Sequence, residues 1–208
     1  MQALLCTRLG TPDDLTLAEV PDAAAGPGEA VIRVHSVALN FFDTLIIAGK
    51  YQIRPALPFS PGAELAGTIE SLGAGVRDLA VGDRVMAYCR FGAAREKIAL
   101  PAEQIIRIPA GLDFDRAAGL CVIYGTALYA LKDRGGLKSG ETLAVLGASG
   151  GVGLAAMEIC VASPQSPRAE RASACRAKTA SGSLRAELGA NPSLENRHVR
   201  VLRRGRDA

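Results

Sequence analysis

The chain has 208 residues, of which 49% are hydrophobic and 22% are charged. This composition excludes a collagen, a coiled coil and a fully disordered chain, and it is typical of a globular protein with one large or two small domains. The net charge of +3 is unevenly distributed: residues 1–161 carry 14 Lys and Arg against 17 Asp and Glu, and residues 162–208 carry 10 against 4. The basic character therefore belongs to the carboxyl-terminal segment alone.

Short apolar segments separated by turn signals fill the first hundred residues and predict a barrel-like or sandwich β domain. One short helix is expected at 40–48, where apolar residues have helical spacing. Glycines interrupt the apolar segment at 61–70, which indicates a bulge or a close approach of two backbones. The other predicted strands lie at 2–7, at 15–20, at 30–37 and after the turn at 81–83.

The spacing of apolar residues becomes helical from 113 to 132, with Asp113 as a candidate N-cap and glycines at 135 and 136 beyond the end. A uniformly apolar segment at 142–146 then predicts a strand of a buried parallel sheet. It leads into a glycine-rich turn at 147–153 and an apolar helical segment at 154–160. The sequence therefore predicts strand, glycine turn and helix in direct succession.

The glycine turn has the form A-x-G-x-x-G, with Ala148, Gly150 and Gly153 at the three motif positions. In the dinucleotide fingerprint the middle glycine lets the backbone approach a pyrophosphate, the last lets the helix pack closely, and the helix N-terminus attracts the anion. A purely structural glycine turn is the alternative. Residues 163–171 contain two prolines and no run of β-branched residues, which argues against the parallel strand that should come next.

Several segments occur in the order and spacing of a known superfamily: LNFFDTLII at 39–47 with GKY at 49–51, PFSPGAELAG at 58–67, GDRV at 82–85, YGTA at 124–127 and LGASGGVG at 146–153. On these segments the chain resembles the medium-chain dehydrogenase/reductase superfamily, and within it the zinc-independent NADPH:quinone oxidoreductase branch that is similar to zeta-crystallin. The resemblance implies an α/β plus β fold. A GroES-like β-barrel domain at 1–125 would be followed by an incomplete Rossmann domain, a doubly wound parallel sheet, at 126–161.

The resemblance also implies a reaction, in which NADPH gives a hydride to a quinone or another electron-poor, enone-type acceptor. Asn40 and Tyr51 would be the catalytic residues in a cleft between the domains, because an amide and a phenol can hydrogen-bond a quinone oxygen. The residues expected to bind the cofactor are Asn40, Thr126, Ser149, Gly150, Gly151, Val152 and Gly153.

Structural alternatives stand beside these assignments. Asn40 could cap the short helix that follows it, Tyr51 could be a half-buried packing aromatic, and Thr126 could bond a carbonyl one turn back on its helix. Asp43 and Glu64 are expected to be structural, with Glu64 accepting hydrogen bonds from buried backbone donors.

No metal site is expected. Zinc-dependent alcohol dehydrogenases of the same superfamily have a Cys where this chain has Asn40 and a His where it has Ala63, and neither residue supplies a ligand that zinc requires. Cys121 lies near the place of a third ligand. The two histidines are His198 and His35, which we expect to face outward from a strand.

The segment 162–208 departs from the resemblance, since Arg, Ala and Ser dominate it and it has no aromatic residue. We expect a basic tail, disordered or irregular, and hypothesise that it is the frameshifted or rearranged end of a truncated reductase. Two functions remain open. The chain could be a quinone-reductase-type oxidoreductase impaired by the loss of most of its Rossmann domain, or a catalytically inactive product that keeps a β-domain scaffold or an interaction role.

A cytoplasmic protein is expected, because no signal peptide is evident and the five cysteines lack a C-x-x-C pair. No membrane span is expected, since the uncharged segment 117–131 is too short to cross a bilayer. The arginines of the tail attract phosphate without specificity and lack stacking aromatics, so no specific nucleic-acid partner is expected. A homodimer of the family type is doubtful for this chain.

Overall fold

The computed structural model describes residues 1–138, 141–162 and 168–172. It divides the chain into two compact units, Met1–Val122 and Ile123–Ala208. This division and the boundary expected at residue 125 fall within the same helix, α3 (Leu120–Leu128).

Antiparallel strands make up most of the first unit. At its amino terminus β1 (Gln2–Cys6) pairs with β2 (Leu15–Glu19). The other strands are β3 (Glu29–Ala38), β4 (Glu64–Leu72), β5 (Arg84–Tyr88), β6 (Lys97–Pro101) and β7 (Ile105–Arg107), and they form one sheet in the order β6-β3-β4-β5-β7. The strands expected near 2–7, 15–20, 30–37, 61–70 and after 83 are thus confirmed, whereas β6 and β7 were not predicted.

Alternation of buried and exposed residues gives this sheet its core. The side chains of Val85 and Ala87 on β5, and of Ile98 and Leu100 on β6, point to the same apolar interior because successive side chains of a strand lie on opposite faces. The short helices α1 (Phe41–Ile47) and α2 (Phe114–Ala118) add two smaller clusters. The predicted helix at 40–48 is confirmed as α1.

Gly67 shows why the segment at 61–70 contains glycines. A Cβ at this position would lie 2.0 Å from the carbonyl oxygen of Arg33 on the neighbouring strand, a distance that no side chain tolerates. The register between β3 and β4 shifts beside it, between Val34 and Ser36. The close approach and the bulge expected there are both present.

The helical segment expected at 113–132 is interrupted. Asp113 does cap its start, since its carboxylate accepts the N–H of Arg116 at 2.8 Å. Gly119 then ends α2, α3 begins at Leu120, and a π-helical segment, Tyr129–Arg134, follows α3. The prediction of one continuous helix was wrong because a glycine that leaves helical geometry stands within it.

In the second unit, β8 (Thr142–Leu146) leads through the glycine turn into α4 (Gly151–Ala162), as the sequence predicted. Leu143 and Val145 of β8 are fully buried against apolar residues of α4. A further strand, β9 (Arg168–Ala172), runs parallel to β8, with Thr142 opposite Arg168 and Leu146 opposite Ala172.

The strand β9 corrects the argument against a parallel strand at 163–171. Pro164 and Pro167 both precede it in the sequence, so the five residues of β9 contain no proline and each has an N–H for the ladder. Backbone pairing with β8 needs no β-branched side chain. The expectation of a disordered or irregular segment at 162–208 therefore fails at 168–172, and residues 173–208 lie outside the described residues.

Candidate functional site

The glycine turn joins β8 to α4 by backbone hydrogen bonds. Gly147 adopts a φ of +73°, which favours glycine, and its carbonyl oxygen accepts the N–H of Gly150 at 2.9 Å. The N–H of Leu154 donates to the carbonyl oxygen of Gly150 at 2.9 Å. This is the first hydrogen bond of the helical ladder of α4, so the N–H groups of Gly151, Val152 and Gly153 lie outside that ladder.

Gly153 allows α4 to begin directly against the turn. A Cβ at this position would lie 2.4 Å from the carbonyl oxygen of Gly147 and 2.8 Å from the Cα of Ala148. Both contacts are backbone atoms that cannot rotate away. The close packing expected from the motif is therefore present, and the turn and the start of α4 form a tight backbone cradle that has no room for a side chain at 153.

The outer side of this turn is open to solvent. Ser149 and Gly151 are exposed, Val152 is half-buried and Gly153 is buried. Thr126 belongs to the same unit and is exposed on α3. The structure thus brings residues 149–153 together as one turn, and it places Thr126 on another element.

Asn40 lies in the first unit, immediately before α1. Its backbone is extended, with φ −114° and ψ 160°, and it occupies the N-cap position. The carboxylate of Asp43 accepts the backbone N–H of Asn40 at 2.7 Å, and the side-chain amide nitrogen of Asn40 donates to Oε1 of Glu64 at 2.9 Å. The side chain is therefore held by a buried carboxylate from another element.

Glu64 begins β4 and is 1% exposed. Its second oxygen, Oε2, accepts the backbone N–H of Val122 at 2.8 Å. Burial raises the pKa of Glu64, and the hydrogen bonds from Asn40 and Val122 oppose that shift. The expectation that Glu64 accepts from a buried backbone donor is confirmed, whereas its bond to Asn40 was not anticipated.

Asp43 is a second buried carboxylate beside this pair. It is 5% exposed, and its Oδ1 has no hydrogen-bond partner among the described residues. Burial raises the pKa of Asp43, while N–H groups of Asn40 and Gly62 lower it. The negative charge of Asp43 in turn raises the pKa of Glu64. Two carboxylates thus surround the polar end of α1.

Tyr51 follows α1 and stacks on Phe42 of that helix, with ring centroids 5.6 Å apart. The side chain is half-buried and contacts the small cluster that contains Ile46 and Phe59. This is the packing arrangement that the sequence left open beside a catalytic role. His35, as expected, is exposed on β3, where it stacks on Phe114.

Two half-buried cysteines lie near these carboxylates. Burial raises the pKa of Cys89 to about 12, and burial together with the charge of Glu64 raises the pKa of Cys121 to about 11. Within residues 1–138, 141–162 and 168–172 no group of three His, Cys, Asp or Glu side chains is arranged to hold a metal ion. The absence of a zinc site stays a prediction.

The chain is similar in sequence to proteins of a known family. Residues 26–110 match the family described as the alcohol dehydrogenase GroES-like domain. The chain is 40% identical over 162 residues to the human synaptic vesicle membrane protein VAT-1 homolog, and the aligned region covers 77% of this chain and 41% of that protein. It is 38% identical over 162 residues to the quinone oxidoreductase-like protein 2 homolog of Nematostella vectensis, and the aligned region covers 76% of this chain and 43% of that protein.

A solved structure shows the same architecture. The quinone oxidoreductase of Thermus thermophilus, described together with its NADPH complex, superimposes with a TM-score of 0.71 at 34% identity, covering 83% of this chain and 53% of that one. The chain belongs to the medium-chain dehydrogenase/reductase superfamily.

The superfamily membership confirms the expected α/β plus β fold, a GroES-like domain followed by part of a Rossmann domain. It also confirms an oxidoreductase family, since quinone oxidoreductase-like proteins are among the relatives of this member. The chain spans about half the length of these relatives. No helix in the described part of the chain is long and apolar enough to cross a bilayer.

Proposed function

We propose that this chain serves the transfer of a hydride from NADPH to a quinone or another electron-poor, enone-type acceptor. The observation that carries the proposal is the start of α4, where the N–H groups of Gly151, Val152 and Gly153 lie outside the helical ladder at a turn whose residues Ser149 and Gly151 are exposed. An exposed glycine turn at a helix N-terminus offers backbone N–H groups to an anion, which suits a pyrophosphate.

The second unit would hold the pyrophosphate. The N–H groups of Gly151, Val152 and Gly153 lie outside the helical ladder of α4, and the positive end of the helix dipole favours an anion there. The exposed hydroxyl of Ser149 can add a hydrogen bond. Thr126, exposed on α3 of the same unit, is proposed to contact the nicotinamide side of the cofactor, as the resemblance implies.

The first unit would bind the acceptor. NADPH, when bound, supplies the hydride, and the protein supplies position and polarity. The carboxamide of Asn40 and the phenol of Tyr51 can each donate a hydrogen bond to a quinone oxygen, on which negative charge develops as the hydride arrives. The reduced oxygen then takes a proton from water.

A charge placed at the turn tests this proposal. Ser149 is exposed next to the cradle, so Ser149→Asp leaves the fold intact and even complements the dipole of α4. The same carboxylate repels a pyrophosphate. We expect NADPH, titrated into the 208-residue chain and followed by nicotinamide fluorescence, to bind Ser149→Asp at least about tenfold more weakly than the wild type.

The matched control is Ser149→Asn, which is nearly isosteric with the acidic variant and carries no charge. It should bind NADPH within about threefold of the wild type, since an amide still donates a hydrogen bond. Equal affinity of the acidic and amide variants would contradict a pyrophosphate at the turn. A wild-type chain with no saturable NADPH binding would favour the alternative, a catalytically inactive scaffold or interaction protein.

A further inference from the structure

Glu64 offers both of its oxygens to donors. Oε1 accepts from the side-chain amide of Asn40 at 2.9 Å, and Oε2 accepts the backbone N–H of Val122 at 2.8 Å. An N–H that faces each oxygen favours the ionised form, because a proton on either oxygen would face a donor, and the two hydrogen bonds oppose the burial that raises the pKa of Glu64. Toward Asn40, Glu64 is therefore a fixed acceptor.

A fixed acceptor decides which end of the Asn40 carboxamide faces it. The amide nitrogen and oxygen are similar in shape, so packing alone does not distinguish the two orientations. The reversed orientation would bring the amide oxygen to within about 3 Å of Oε1, and two acceptors at that distance repel each other. The observed orientation keeps a second amide hydrogen that Glu64 does not take.

The backbone of Asn40 is held as well. Oδ2 of Asp43 accepts its N–H at 2.7 Å, and its extended conformation starts α1. The start of α1 also has the geometry of a capping box, in which the Asn40 side chain faces the backbone N–H of Asp43 without a full hydrogen bond, so this weaker contact favours the same orientation as Glu64. Asp43 thus fixes where the side chain begins, and the hydrogen bond to Glu64 is the stronger of the two contacts that decide which polar atom of the carboxamide faces which way.

We propose that Glu64 is a positioning residue, which orients the Asn40 carboxamide so that an N–H, and not the amide oxygen, is held ready for the oxygen of the electron-poor acceptor. The proposal rests on the proposed function for the identity of that acceptor. Glu64 thus has two roles: it accepts the backbone N–H of Val122, and it orients the carboxamide of Asn40.

The variant Glu64→Gln separates this role from a structural one. The new amide has one oxygen and one NH₂ group, and the N–H of Val122 cannot reverse because it belongs to the backbone. The oxygen therefore stays with Val122 and the NH₂ group faces Asn40. The Asn40 carboxamide must then reverse to accept from it, which turns its oxygen toward the acceptor.

Asp43→Asn is the matched control. It removes the same unit of charge from the same cluster, and it keeps an oxygen that can accept the backbone N–H of Asn40. The orientation of the Asn40 carboxamide, which Glu64 sets, is left unchanged.

The experiment follows the Asn40 side-chain amide by proton–nitrogen NMR of the uniformly labelled 208-residue chain, with its signals assigned by their loss in Asn40→Ser. We expect one amide proton shifted by the carboxylate in the wild type and in Asp43→Asn, and a collapse of that shift in Glu64→Gln. Tetramethyl-1,4-benzoquinone, titrated into each variant, should bind Glu64→Gln about tenfold more weakly and Asp43→Asn within about twofold of the wild type.

Unchanged amide signals in Glu64→Gln, or equal loss of quinone binding in Glu64→Gln and Asp43→Asn, would overturn the positioning role. An amide that reverses while the wild type binds no quinone would overturn the proposed function and leave the orientation by Glu64 standing. If Glu64→Gln does not fold, the double variant Asn40→Asp with Glu64→Gln restores the hydrogen bond with donor and acceptor exchanged. It should fold and bind the quinone about tenfold more weakly, and wild-type affinity in it would refute the proposal.

Discussion

The glycine turn of the second unit presents backbone N–H groups with little side-chain chemistry, whereas the polar cluster of the first unit consists of the side chains of Asn40, Asp43 and Glu64. The turn depends on the absence of volume at Gly153. The cluster depends on the pairing of donors with buried carboxylates. A site made of backbone is therefore broken by adding one atom, and a site made of side chains is broken by removing one partner.

The largest effect is expected where one atom is added. Gly153→Ala places a Cβ against the carbonyl oxygen of Gly147 and the Cα of Ala148, so the start of α4 must move. We expect the free energy of unfolding to fall by about 3 kcal/mol in urea denaturation followed by circular dichroism.

Gly125→Ala is the control for that change, because a Cβ at position 125 of α3 meets nothing within 4 Å. It should raise the free energy of unfolding by about 0.5–1 kcal/mol through helix propensity. Equal effects at 125 and 153 would mean that the cradle does not depend on the missing atom.

The second largest loss of stability is expected where a buried hydrogen-bond partner is removed. Glu64→Ala leaves the N–H of Val122 and the amide of Asn40 buried without their acceptor, and we expect a loss of about 2–3 kcal/mol by the same denaturation. Glu70→Ala, the same substitution on the same strand, removes a carboxylate that pairs with Arg33 and Lys97 nearer the surface. It should cost less than about 1 kcal/mol, and a larger loss there would argue against a special role of burial.

The buried carboxylates also predict a pH dependence. Burial raises the folded-state pKa of Asp43 and Glu64 above the unfolded values, so the folded state holds more protons between those two limits. Stability should therefore increase as the pH is lowered through the raised folded-state pKa values toward the ordinary range of a free carboxyl group. The surface carboxylates Asp22 and Glu70 have lowered pKa values, and the stability they contribute is lost only at more acidic pH.

Denaturation curves at both ends of that window provide the measurement. The change in the free energy of unfolding with pH should be smaller in Asp43→Asn and in Glu64→Gln than in the wild type, since each variant removes one of the two titrating groups. A slope that both variants leave unchanged would assign the pH dependence to other residues.

The smallest effect concerns a helix N-terminus. The carboxylate of Asp113 caps α2 by accepting the N–H of Arg116, whereas α4 begins on the glycine turn. Asp113→Ala should lower the free energy of unfolding by about 1 kcal/mol, and Asp113→Asn, which keeps an acceptor, by a few tenths. A large effect of the Asn variant would show that charge, and not capping, holds α2.

Local patterns of the sequence predicted most of this fold. The turn at 147–153 is readable because strand, glycines and helix follow each other within one segment. The strands β6 and β7 were missed because they are short, at five and three residues, and β7 gains its place only by pairing with β5. Tertiary pairing also explains β9, whose residues Arg-Ala-Glu-Arg-Ala have little strand propensity of their own.

The candidate site divides in the same way. The role of Gly153 followed from its motif, because the atoms it approaches are only a few residues away. The bond between Asn40 and Glu64 joins residues 24 apart, and the bond between Glu64 and Val122 joins residues 58 apart. No spacing rule connects such positions, so the sequence indicated that Glu64 was buried and bonded without indicating that it holds Asn40.

The cysteines acquire a further meaning beside the proposed acceptor. Burial raises the pKa of Cys6, Cys89, Cys121 and Cys160, which are the cysteines in the part of the chain that the structure describes. Quinones and enones are electrophiles, and a thiolate attacks them far faster than a thiol does. Because the raised pKa lowers the thiolate fraction of each sulfur below that of a free cysteine, we expect these cysteines to react slowly with the electrophiles that the chain is proposed to reduce.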